Sequence, residues 1–127
     1  GDIVYWGSVP SGSSTVPGTI YYLSSLGYWT LTNSGNPSSA AARGLLGVAL
    51  GTAVSDGILL RGIVKLVDVY SSAESIGATL FLHSTAGQAT DAAPSTSTHT
   101  ARIIGYLTSS SNDTAWFNPD NTFVEID

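Results

Sequence analysis

Short runs of β-branched and aromatic residues, each bounded by Gly, Pro, Asn, Asp or Ser, recur from one end of this 127-residue chain to the other. This punctuation limits the fold more than any other feature, because runs of that length suit strands and are too short for stable helices. The runs are Ile3 to Trp6, Thr19 to Leu23, Tyr28 to Leu31, Gly44 to Leu50, Ile58 to Leu60, Ile63 to Tyr70, Thr79 to Leu82, Arg102 to Leu107, Ala115 to Phe117 and Thr122 to Ile126. The 14 Gly and 5 Pro are spread between them and not gathered into one linker, so residues 1–127 read as a single all-β domain. Only Ser38 to Arg43 could hold a helical turn, with Ser38 as its cap after Pro37. Thr32 to Ala42 and Thr90 to Thr100 are polar and read as surface loops.

The order of the runs repeats. Gly18-Thr-Ile-Tyr-Tyr-Leu-Ser-Ser matches Gly77-Ala-Thr-Leu-Phe-Leu-His-Ser, and Arg43-Gly-Leu-Leu-Gly47 matches Arg102-Ile-Ile-Gly105, an offset of 58–59 residues. Asp56-Gly-Ile-Leu-Leu then resembles Asp113-Thr-Ala-Trp-Phe, and Ile63-Val-Lys-Leu66 resembles Phe123-Val-Glu-Ile126. An internal duplication would give two similar β-units closing a small barrel or sandwich. With so few charges to keep strand edges apart, those edges are expected to be covered by closure or by subunit contact.

Composition removes several functions. Four Lys and Arg stand against nine Asp and Glu, so no basic stripe exists to neutralise phosphates, and nucleic-acid binding is not expected. No apolar run approaches the roughly 20 residues that span a bilayer, so membrane insertion is not expected. There is no Cys, hence no disulfide or thiolate site, and with no Met the chain reads as part of a longer protein.

The residues that could carry chemistry are scattered. His83 and His99 are sixteen positions apart in unlike settings, without a G-x-S-x-G elbow or H-E-x-x-H helix, which leaves no expected catalytic or metal residues and no cofactor. Asp2, Asp56, Asp91, Asp113 and Asp120 neighbour Gly, Ser, Asn or Pro and suit turns better than acid–base pairs. The oxygen-rich stretch Asn112 to Asn121 could attract a hard cation but lacks EF-hand spacing. Exposed indoles beside amide and carboxylate groups could stack on and hydrogen-bond a sugar. The candidate glycan-facing residues are Trp6, Trp29, Trp116, Asn118 and Asp120.

Gly44-Leu-Leu-Gly-Val-Ala-Leu-Gly51, Asp56-Gly-Ile-Leu-Leu-Arg-Gly62, Arg102-Ile-Ile-Gly-Tyr106 and Trp116-Phe-Asn-Pro-Asp-Asn-Thr-Phe-Val-Glu125 together resemble C-terminal regions of tail-fibre or virion structural proteins of marine and cyanobacterial tailed phages. The resemblance spans nearly the whole chain. It implies a non-enzymatic, extracellular β module on a particle, forming a homotrimer and bringing no catalytic residues. Two further readings stay open: a receptor-binding tip for host surface glycan, and a hydrolytic or self-cleaving fibre domain.

Overall fold

The computed structural model describes residues 1–33, 43–70, 75–95, 99–109, 112–120, 122 and 124–125. The expected turn at Ser38 to Ala42 lies outside them. The chain is all-β, as the run pattern predicts, with β1 (Asp2–Val4), β2 (Ile20–Leu23), β3 (Trp29–Leu31), β4 (Leu46–Ala49), β5 (Ile58–Lys65), β6 (Val69–Tyr70), β7 (Thr79–Leu82), β8 (Ala89–Thr90), β9 (Thr100–Ala101), β10 (Ile103–Ser109), β11 (Thr114–Phe117) and β12 (Val124–Glu125). A 3-10 turn at Val54–Asp56 precedes β5 and is closed by the Ala53 amide donating to the Asp56 carboxylate.

Ten strands form one curled, largely antiparallel sheet, a half-barrel, in the order β3-β2-β4-β5-β11-β10-β7-β8-β6, with β1 beside β5. β9 and β12 form a separate ladder. At one corner the turn between β7 and β8 reaches the other end of the sheet. The Ile20 amide donates to the Gly87 carbonyl, and the Gly87 amide donates to the Thr32 carbonyl. Two boundaries differ from the sequence expectation. Ile58 to Leu60 and Ile63 to Lys65 belong to one strand that passes through Gly62 at φ 148°. Thr90 and Thr100 are buried strand residues, not loop ends, because Phe81 and Glu125 supply their ladder partners.

Read outward from the centre, the sheet runs β5-β4-β2-β3 one way and β11-β10-β7-β8 the other. The register agrees with the repeated sequence: Tyr21 opposes Gly47 as Leu80 opposes Gly105, and Val48 opposes Leu59 as Tyr106 opposes Trp116. The buried face does not agree. Ile20, Val48 and Leu59 point into the main core with Leu80, Leu82, Ile104, Leu107 and Phe117, whereas Tyr106 and Trp116 point outward. The switch occurs in β5. The β1 pairing skips Leu60 between Leu59 and Arg61, so Leu59 and Val64 both face the main core although their separation is odd. The internal resemblance therefore extends to strand order and register and stops at the buried face.

The two matched glycines share a physical reason. A Cβ on Gly105 would collide with the Trp116 carbonyl oxygen, and one on Gly47 with the Ile58 side chain, so β10 and β4 approach their neighbours more closely than any other residue permits. Gly105→Ala is expected to lower stability by about 1–3 kcal/mol, the usual cost of overpacking, as a lower urea midpoint at unchanged slope. An unchanged midpoint would contradict this account of the close approach.

Candidate surface site

The outer faces of the two halves are treated differently. Over the first half, Val4 and Val9 from the N-terminal segment cover a second core cluster of Tyr21, Trp29, Ala49, Val54 and Ile58. Over the second half, alternation along each strand turns one residue of every pair outward. Ala115, Phe117 and Leu107 enter the core, and Trp116 and Tyr106 stand on the surface. Ile63, Trp116 and Tyr106 are direct cross-strand neighbours and stay 60%, 37% and 44% exposed. They form a row of apolar and aromatic side chains across three strands.

Beyond Phe117 the chain continues along β10, with the Asn118 amide donating to the Ile104 carbonyl and the Asp120 amide to the Ile103 carbonyl. Asn118, Pro119 and Asp120 thereby line, with Ile103 and Tyr106, an open cavity of about 340 Å³. The Asp120 carboxylate accepts the Thr122 amide at 3.0 Å, the Asx-turn role expected from sequence. Its backbone carbonyl accepts Arg102 Nε at 2.7 Å, and Arg102 Nη1 donates to the Gly44 carbonyl at 2.7 Å. Burial pulls the Arg102 guanidinium below its ordinary pKa, and the Asp120 carboxylate partly offsets this. The turn is thus tied to a fixed cation beneath it.

The five residues singled out in the sequence separate into two groups. Trp116, Asn118 and Asp120 lie on β11 and the turn after it, joined by Tyr106, which sequence reasoning did not select although it is the outward member of the Ile104-Gly105-Tyr106-Leu107 alternation. Trp6 and Trp29 lie on the first half. Trp29 is not an exposed ring, a correction to the expectation: it is buried at the floor of a cavity lined by Val9, Val16 and Leu31, its indole donates to the Trp6 carbonyl at 3.0 Å, and its ring stacks against Trp6 at 5.8 Å between centroids. Only Trp6 of that pair is exposed.

The structure brings His83 and His99 together where sequence spacing had kept them apart. Both line an open cavity of about 190 Å³ with Leu82, Ser84, Thr90 and Pro94. His83 Nδ1 accepts the Thr85 amide at 2.8 Å, which places the neutral ring's proton on Nε2. Among the described residues no three His, Asp or Glu side chains cluster in a way that would hold a metal ion, and no helix is long and apolar enough to cross a membrane. No family model, curated protein or solved structure matches this chain.

Proposed function

We propose that this chain is a non-enzymatic surface-presenting module of an extracellular particle, a fibre or decoration domain that self-associates, with two halves that descend from one duplicated β-unit. The observation that carries the reading is the row Ile63, Trp116 and Tyr106, direct cross-strand neighbours left exposed across β5, β11 and β10. Exposed aromatic and β-branched side chains in direct register are the kind of strip that protein contacts favour. The phage-fibre resemblance of the sequence points the same way and supplies the expectation of a trimer. Light scattering on the isolated chain tests it. A trimer that dissociates when Trp116 is replaced by Glu supports the reading, and a monomer at all concentrations removes it.

A second reading, recognition of a surface glycan, has its own support. Tyr106 offers a ring face beside the Asn118 amide and the Asp120 carboxylate around one cavity, with Trp116 as its direct cross-strand neighbour, a combination suited to sugar hydroxyls and C–H faces. Trp116→Ala is expected to abolish binding on a glycan array while lowering stability by no more than about 1 kcal/mol, since the ring is part-exposed. Absence of binding by the unmodified protein to any glycan would dismiss this reading.

A further inference from the structure

Besides β4, two strands pair with β5 along successive stretches of it, and both run antiparallel to it. β11 pairs from Lys65 down to Gly62, and β1 takes over from Arg61 to Ile58. Ile58 and Leu59 therefore carry β4 on one edge and a short separate segment, β1, on the other.

The sequence beyond that turn carries the same pattern as β1. Ile3-Val4, Ile63-Val64 and Phe123-Val124 each set a large apolar residue before Val, at a constant interval of 60 residues. The first two pairs hold equivalent registers: Ile3 and Val4 oppose Leu59 and Ile58, while Ile63 and Val64 oppose Trp116 and Ala115. In both cases the segment pairs with the last strand of its own half. The third is placed differently, with Val124 opposing Ala101 of β9 and left 61% exposed.

We propose that the β5 edge from Ile58 to Arg61 is a strand-acceptor site, and that its partner is the segment around Val124 of a second copy of this chain, entering in the register now held by β1. The present occupant is weakly held. β1 contributes three residue pairs with a register shift among them, and its Asp2–Arg61 ion pair at 3.2 Å is exposed and open to screening. Exchange gives Val124 the half-buried place of Val4 against the second core cluster, which its current position does not provide. The donated segment and the acceptor edge lie on different parts of the chain, so the contact is heterologous and builds head-to-tail assemblies, whose main-chain ladder gives affinity and whose apolar-Val pattern gives register. The inference does not depend on the particle reading, since it concerns only how copies pair.

A chain without cysteine makes the test clean. Thr122→Cys with Arg61→Cys joins two exposed positions that would face each other across copies, as Asp2 and Arg61 do within one. Mild oxidation should give disulfide-linked dimers and longer ladders whose share rises with protein concentration. In a second protein, Asp2→Cys with Arg61→Cys should close within one copy, hold β1 in place and abolish head-to-tail growth, leaving any assembly through the Trp116 row unchanged by light scattering. A disulfide that forms only within single copies of the first protein, or at no concentration, overturns the proposal, as does head-to-tail growth unchanged by the β1 lock.

Discussion

Replacing Arg102 by Leu is expected to lower the unfolding free energy by about 3–5 kcal/mol, the range seen when one partner of a buried charged network is removed. The side chain is only 5% exposed, and its two 2.7 Å hydrogen bonds satisfy the Asp120 and Gly44 carbonyls. Leu fills much of the volume but donates nothing, and each hydrogen bond lost from a charged donor costs about 1.5–3 kcal/mol. Arg102→Lys should recover part of the loss, because one ammonium cannot reproduce the fork that spans two carbonyls. Although burial lowers the Arg102 pKa, a guanidinium stays charged at any pH the fold survives, so the deficit should be the same at acidic and neutral pH. Urea unfolding of the three proteins at two pH values measures this. A loss below about 1 kcal/mol for the Leu variant would mean that the carbonyls find other donors and the network is not a structural tie.

That residue also marks where sequence reasoning stopped. The strands were legible because alternation and turn residues are local signals, and Asp56 and Asp120 were legible as turn residues for the same reason. What depends on distant partners was not. Nothing local distinguishes Thr90 and Thr100 from loop residues until Phe81 and Glu125 are known to lie beside them. Nor does the Arg-Ile-Ile-Gly segment announce that its Arg reaches the carbonyl of Gly44, far earlier in the chain. The matched halves illustrate the limit most clearly. Repetition suggested two similar β-units but carried no sign of the skipped residue in β5 that decides which face is buried, and that irregular pairing sends Trp116 outward where Leu59 points in. The candidate site was half legible for that reason: Trp116, Asn118 and Asp120 share a surface with Tyr106, and Trp29 does not.

Trp29→Ala should cost about 3–5 kcal/mol, as large-to-small changes of buried aromatic residues do. Its ring is the largest fully buried side chain, it fills the cluster of Tyr21, Ala49, Val54 and Ile58, and its indole nitrogen is bonded to the Trp6 carbonyl. Trp29→Phe keeps most of the volume and loses that hydrogen bond, so a smaller loss of about 1–2 kcal/mol follows. Trp6→Ala alone should be milder, because Trp6 is half-exposed and contributes mainly its stacked face. The two residues should nonetheless be coupled by about 0.5–1.5 kcal/mol in a double-mutant cycle, the usual worth of an aromatic pair beyond its buried area. Near-ultraviolet circular dichroism supplies an independent readout, since either substitution breaks the stacked indole pair and should remove its signal while the far-ultraviolet spectrum keeps its β shape. Additive effects of the two substitutions would show that the N-terminal segment merely lies over the first half. Coupling at the expected level would show that Trp6 anchors that segment against the first half, whereas among the described residues no such segment packs over the row of Ile63, Trp116 and Tyr106, which stays exposed.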